Sequence, residues 1–193
     1  MKMEYPPRIF DVDAALHAGK IQRFHMTPNH RSQTVGEHSY GVAMWVHFLY
    51  NGDPPALALI VALTHDMAEL YTGDMPAQVK WEFPALAKLL EHAEYTAMSR
   101  NHLCYSYVSE PQDPRHAPNL RQGLELTYME AVIHIADKLE LLHECLHELR
   151  FGNLYHLEIF CKIVDVCYKN SQSQTGSIIQ KQGEAISWML RQI

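Results

Sequence analysis

The run Leu59-Ile60-Val61-Ala62-Leu63-Thr64-His65-Asp66-Met67-Ala68-Glu69 passes from continuous apolar residues to three ionisable groups within a few positions. Burying an unpaired carboxylate is costly, so such groups are paired, hold a metal, or mark where a helix emerges into solvent. On a helix, residues 65 and 66 stand about 100° apart, close enough for an imidazole nitrogen and a carboxylate oxygen to converge on one ion. Glu69, at i+4 and i+3, overhangs the same place as an outer contact or proton donor. Tyr71-Thr72-Gly73-Asp74-Met75-Pro76 then adds a further carboxylate and a flexible glycine. Carboxylates gathered near histidine form a hard-cation environment.

Two other segments bear on this constellation. In a helix opening at Gly36-Glu37-His38, the apolar stripe of Val42, Trp45 and Leu49 is continued by His38, which therefore points inward. It is either a core histidine with one hydrogen-bond partner or a ligand. Asp137 sits in Val132-Ile133-His134-Ile135-Ala136-Asp137-Lys138-Leu139, where the dominant stripe runs Ile135, Leu139, Leu142, Leu146 and Leu149. Spacing alone turns Asp137 toward solvent, with Ile133, Leu141 and Glu144. If both sides of the helix are covered, it is the carboxylate within 131–139 able to complete a metal site. His143 and His147, at i and i+4, lack a third ligand and read, with His134, as a surface face.

The elements that must carry these residues are helical. Apolar residues recur at helical spacing through most of the 193 residues, without the alternation expected of strands, so the class is all-α. Helices are expected near 11–19, 37–50, 54–71, 84–100, 124–149, 153–168 and 176–191. Asp53 should cap the third of these, ahead of Pro54 and Pro55. Gly73 to Pro84 reads as a loop or short helical turn, and Pro111 to Gly123 and Asn170 to Gly176 as surface connections. With 47% hydrophobic and 20% charged residues, residues 1–193 fit a single compact helical bundle domain. Cys104, Cys145, Cys161 and Cys167 have no C-x-x-C spacing and read as buried reduced thiols.

A formal net charge of -6 excludes a protein that coats duplex nucleic acid, while leaving a small anionic substrate possible. No apolar run reaches the roughly 18 to 20 residues of a membrane span, and Met1 to Phe10 lacks a signal-peptide pattern. No membrane partner and a cytoplasmic location are expected. Apolar stripes left over on the last two helices suggest a homo-oligomer.

Taken together, Glu37-His38-Ser39, His65-Asp66-x-x-Glu69, Thr72-Gly73-Asp74 and the distant Asp137 resemble the HD-domain phosphohydrolase superfamily, whose ligand order is H, HD, D. The pattern spans roughly residues 20 to 145. It is most similar to the compact nucleotidase branch, which holds the YfbR-type 5'-deoxynucleotidases and the phage DatZ-type dATP triphosphohydrolases. The resemblance implies an HD-domain helical bundle with His38, His65, Asp66 and Asp137 as ligands of one divalent ion. It implies Glu69 as the residue handling protons and Asp74 as a substrate or water contact. Two imidazoles and two carboxylates suit Mn, Co, Zn, Fe or Mg without choosing among them.

In that branch an arginine and an aromatic residue precede the first histidine and clasp the nucleotide. Here the position reads Arg23-Phe24, with phenylalanine where the bacterial enzymes carry tryptophan. Arg23 can offer a bidentate fork to phosphate, and Lys80 either a point charge or a solvated surface lysine. Phe24, His25 and Met26 could form an apolar floor for a base, or Phe24 and Met26 could belong to the core. Arg31 is a weaker phosphate candidate. The implied activity is metal-dependent hydrolysis of the 5' phosphate ester of a small deoxynucleotide. The wording around residues 31–39 and 72–77 leans toward dATP triphosphohydrolase, with a 5'-deoxynucleotidase on monophosphates as the alternative. A non-catalytic nucleotide-binding module and a cyclic-nucleotide or alarmone hydrolase are the further rivals.

Overall fold

The structure, a computed structural model, describes residues 9–98, 120–173 and 177–193. Helix α1 (Ile9–Ala18) leads into a small antiparallel pair, β1 (Gln22–Arg23) and β2 (Gln33–Thr34), in which Gln22 faces Thr34 and Arg23 faces Gln33. Helices α2 (Val35–Leu49), α3 (Ala56–Thr64), α4 (Glu69–Thr72), α5 (Ala77–Glu82) and α6 (Pro84–Met98) follow, then α7 (Leu120–Arg150), α8 (Tyr155–Ser173) and α9 (Ser177–Leu190). Pattern reading does not anticipate strands only two residues long, because alternation needs a longer run to register. None of the described helices is long and apolar enough to cross a membrane.

Helix α7 is the axis of the molecule, packed by α2, α3, α8 and α9. Val132, Leu139, Leu142 and Leu146 are completely buried with Val42 and Val46 of α2, Phe160 of α8 and Met189 of α9. Because α7 is covered on several sides, residues beside its dominant stripe are buried too, and the stripe does not identify the solvent face. Ile133 and Leu141, on the side that spacing assigns to water, are buried, and Asp137 is only 23% exposed. The apolar faces of α8 and α9 are partly spent on α7, through Ile159, Phe160 and Ile163 and through Ile178, Ala185 and Met189.

Helix α2 begins in a reciprocal cap. Thr34 Oγ1 accepts from Glu37 N at 3.2 Å, and Glu37 Oε2 accepts from Thr34 N at 2.7 Å. Its first turn lies against the end of α1, where Gly36 N donates to Gly19 O, and a Cβ at Gly36 would stand 3.0 Å from that oxygen. The helix expected over 54–71 is two shorter ones. It starts after Pro55, whose extended backbone (ψ 139°) puts Asp53 too early to cap it. It ends at Thr64, where Thr64 Oγ1 and a His65 ring nitrogen bond back to Ile60 O and Ala62 O and the backbone tightens to three-residue spacing. His65 and Asp66 therefore lie in a turn, not within a helix.

Other boundaries move outward. α7 already includes Leu120 to Gly123, and α8 continues to Ser173, since no Gly or Pro interrupts it before Gly176. Residues 111–119, 174–176 and Cys104 lie outside the described residues. Cys145 and Cys167 are buried thiols, whereas Cys161 is exposed because it falls on the outer face of α8.

The segment from Phe24 to Arg31 is fastened to the start of α8 and the end of α7. Glu148, 1% exposed, accepts from His30 N at 3.0 Å and from Asn153 Nδ2 at 2.6 Å, and its Oε2 lies 3.0 Å from His30 Nδ1. Asn153 also donates to Pro28 O, and Asn29 bonds both Phe24 O and the His156 ring. Burial alone would raise the Glu148 carboxyl, but these donors lower it to about 2. Between its ordinary 4.5 and about 2 the native state binds fewer protons than the unfolded chain, so this stability is present above that window and lost below it. Glu148→Gln is expected to cost about 2 kcal/mol at neutral pH by urea denaturation. The gap from the wild type should narrow as the pH falls through the same window; a gap independent of pH would rule out the ionised anchor.

Candidate metal centre and phosphate pocket

Four side chains from three parts of the chain meet between α2, α7 and the α3–α4 turn. His38 Nε2 lies 3.3 Å from Asp66 Oδ2 and 3.3 Å from Asp137 Oδ1, and His65 Nε2 lies 3.3 Å from Asp66 Oδ1. One ligand atom each from His38, His65 and Asp137 fall within 4.8 Å of one another. Asp66 divides its two oxygens between the imidazoles.

The histidines are aimed by their other ring nitrogens. A carbonyl only accepts, so His65 Nδ1, 2.9 Å from Ala62 O, must carry a proton and leave Nε2 facing the cluster. His38 Nδ1 is hydrogen-bonded to Glu140 Oε2, which leaves its Nε2 facing Asp66 and Asp137. Both Nε2 atoms are buried without a hydrogen-bond partner. Two orphaned imidazole nitrogens beside two carboxylates fit a divalent ion of the borderline kind.

The charges agree with this arrangement. Burial and Arg23 lower the pKa of His38, which is 0% exposed, but the neighbouring carboxylates of Asp137, Asp66 and Glu140 prevail and hold it well above the ordinary value. Burial alone would raise the pKa of Asp66 and Asp137. The two histidines, and for Asp137 chiefly Lys138 with Nζ at 2.6 Å, keep both carboxyls low.

Glu69 behaves oppositely. It is 6% exposed with Oε2 unpartnered, and burial, reinforced by Asp66 and Asp74, raises its carboxyl to about 9. Two carboxyls in one pocket thus have pKa values pushed far apart, as acid–base work requires.

Beside the cluster opens a pocket lined by Arg23, Phe24, Asp66, Glu69, Asp74, Lys80 and Asp137, with Met75, Trp81, Leu141, Ile163 and Val166 as apolar walls. Arg23 Nε stands 3.7 Å from Asp74 Oδ1, and Phe24 N donates to Asp74 Oδ2 at 3.3 Å. Phe24 has φ 55°, a left-handed conformation uncommon for an aromatic residue, and its ring packs on His156. Met26 is not brought here. It is 74% exposed, because the turn closed by Thr27 N on Phe24 O carries it outward. Arg31 is also outside, paired with Glu37 and Glu144.

Sequence reasoning missed Lys138 and Trp81 as pocket residues, and Gln33 and Glu140 behind Arg23 and His38. The signal for Glu140 was present. Acidic residues at 137, 140, 144 and 148 repeat at three- and four-residue spacing in an apolar helix. A second group, Glu144, His147 and Glu148, also brings ligand atoms within 4.8 Å, but Glu148 is committed to His30 and Asn153, and Glu144 to Arg31 and Gln33. His143 packs edgewise on Trp45 and Trp188.

Comparison with known proteins gives a consistent assignment. A family model described as 5'-deoxynucleotidase YfbR-like matches residues 15–170. The 5'-deoxynucleotidase of Erwinia tasmaniensis is 31% identical over 142 residues, covering 69% of this chain and 70% of the relative. The 5'-deoxynucleotidase YfbR of Escherichia coli O127:H6 is 30% identical over 141 residues, covering 69% of each. Among solved structures, an HD-domain phosphohydrolase from Listeria innocua matches with a TM-score of 0.66 at 22% identity, covering 93% of this chain and 88% of that one. The cyanophage S-2L HD phosphohydrolase DatZ, bound to dA and one catalytic Zn2+ ion, matches with a TM-score of 0.64 at 15% identity, covering 97% and 99%. At such identities these structures speak for the fold, which is the helical HD-domain fold. Matched by the family model over most of its length, the chain belongs to the YfbR-like 5'-deoxynucleotidase family and is a metal-dependent phosphohydrolase.

Proposed function

We propose that the chain hydrolyses the 5' phosphate ester of 2'-deoxynucleoside monophosphates, giving deoxynucleoside and inorganic phosphate. This departs from the sequence's lean toward dATP triphosphohydrolase. The observation that carries it is the charge of the pocket. Arg23, Lys80 and Lys138 offset Asp66, Asp74 and Asp137. A divalent ion then leaves a modest net positive charge, which suits a phosphate monoester whose second pKa is about 6. A triphosphate tail carries more negative charge than this pocket offsets. The relatives at about 30% identity are named 5'-deoxynucleotidases, whereas the DatZ likeness is at 15%.

In this reading His38, His65, Asp66 and Asp137 hold the ion, and Arg23, Lys80 and Lys138 grip the phosphate oxygens. Phe24 and Trp81 flank the sugar and base, and Asp74 fixes Arg23 and the Phe24 backbone. The chemistry such an ion supplies when bound is Lewis acidity, which acidifies a water and draws charge from a phosphoryl oxygen. The oxygen of water bonds to phosphorus, the bond from phosphorus to the 5' oxygen breaks, and that oxygen takes the Glu69 proton. The Glu69 carboxylate then accepts a proton from the attacking water, restoring itself.

The test is a panel of dNMPs, dNTPs, cyclic nucleotides and alarmones incubated at equal concentration with purified protein and Mn or Co, with products resolved by chromatography. Phosphate and deoxynucleoside released from dNMPs alone are expected. Release of tripolyphosphate from dATP with dAMP left intact would reverse the assignment, and turnover of nothing would point to a binding module.

Glu69→Gln keeps a neutral hydrogen-bond donor but cannot exchange a proton, so kcat should fall about 10²- to 10⁴-fold with metal affinity unchanged. The raised pKa also has a signature in stability. Between 4.5 and about 9 the folded chain holds a proton on Glu69 that the unfolded chain has lost, so this contribution disappears as the pH rises. In chelator-treated protein the melting temperature of Glu69→Gln should therefore gain on the wild type as the pH is raised across that window. A constant difference would show that Glu69 is not a protonated buried acid.

A further inference from the structure

Glu140 is a buried carboxylate behind the metal cluster. It is 5% exposed, and each of its oxygens has a designated partner. Oε1 accepts from Gln33 Nε2 at 2.7 Å. Oε2 is hydrogen-bonded to His38 Nδ1 and lies 3.4 Å from Arg23 Nη1. Arg23 Nη1 donates in turn to Gln33 Oε1 at 2.8 Å, closing a ring of Arg23, Gln33 and Glu140.

The facing helix makes room for this carboxylate. A Cβ added at Gly41 of α2 would stand 2.7 Å from Glu140 Cγ and 3.1 Å from Oε1, distances at which the carboxylate must move. Glycine in a helix interior is disfavoured relative to alanine. Here the cost is offset by seating Glu140 against α2, one turn from His38.

We propose that Glu140 is the positioning residue for the metal centre: its carboxylate holds the proton of His38 on Nδ1 and aims Nε2 at the ion, while Gln33 and Arg23 hold the carboxylate in place over Gly41. This rests on the assignment of His38 as a ligand. A histidine ligand whose second nitrogen donates to a carboxylate is fixed in tautomer and orientation and is a stronger donor to the metal. The same carboxylate lies beside Arg23, so the group that aims the ligand also abuts the group proposed to grip phosphate. Glu140 itself does not line the pocket.

The experiment is calorimetric titration of chelator-stripped protein with Co2+, together with the visible absorption of the Co2+ form, which reports ligand geometry independently of turnover. Three variants are compared with the wild type: Glu140→Gln, which keeps the shape but not the charge; Gly41→Ala, which displaces Glu140 while favouring the helix; and His38→Ala. Glu140→Gln is expected to weaken Co2+ binding about 10- to 100-fold and to alter the spectrum. Gly41→Ala should weaken it in the same direction although its helix propensity improves, and His38→Ala should lose the site. Glu140→Gln decides the matter if its metal-free melting temperature stays within a few degrees of the wild type, and Gly41→Ala decides it otherwise. If His38→Ala loses the site while the deciding variant binds Co2+ within twofold of the wild type, the role of Glu140 is overturned. If His38→Ala binds Co2+ as the wild type does, His38 is not a ligand, and the ligand assignment falls together with this inference.

Discussion

Asp137, Glu140, Glu144 and Glu148 project from one side of α7, within an arc of about 80°, and each requires a partner because α7 is the covered axis of the fold. Much of the functional side of the molecule is what meets them. His38 and Lys138 face Asp137, while His38, Gln33 and Arg23 face Glu140. Arg31 and Gln33 face Glu144, and the backbone at His30 with Asn153 faces Glu148. Leaving any of these carboxylates buried and alone would cost several kcal/mol, so the strand pair and the 24–31 segment are held where they are by electrostatic need as much as by packing.

That need also explains how a two-stranded sheet of two residues each can place an arginine accurately. β1 and β2 are too short to be stable alone. They are fixed at one end by Gln33 on Glu140 and Glu144, and at the other by Val35 N on Ile21 O and Gly36 N on Gly19 O. Arg23 and Phe24 lie at the end of this unit, beside Asp74 from the turn after α4. The pocket is therefore assembled from four separate stretches of chain, with α7 as their shared support.

Within the pocket, similar groups do different work because their surroundings differ. Asp66 and Asp137 are held ionised by histidines and Lys138, whereas Glu69, without a partner for one oxygen and close to Asp66 and Asp74, keeps its proton. A single buried pocket can thus hold both ionised carboxylates and a neutral acid.

The sequence alone was enough for the helical class, the central elements and the family. The H, HD, D order with Glu69 and Asp74 is a local record of residue types, and His38 continued an apolar stripe that buried it. The sequence could not settle Asp137, because periodicity reports a helix's dominant face and not whether the other face is covered; only the packing of α2, α3, α8 and α9 around α7 turned that residue inward. The turn at His65 and Asp66 was hidden because apolar spacing does not register side chains that bond back to the backbone at Ile60 and Ala62. Tertiary structure alone joined Glu140 to His38 across 102 residues and Glu148 to the backbone of His30 across 118, since such pairings are chosen by which buried polar groups come to lie opposite one another.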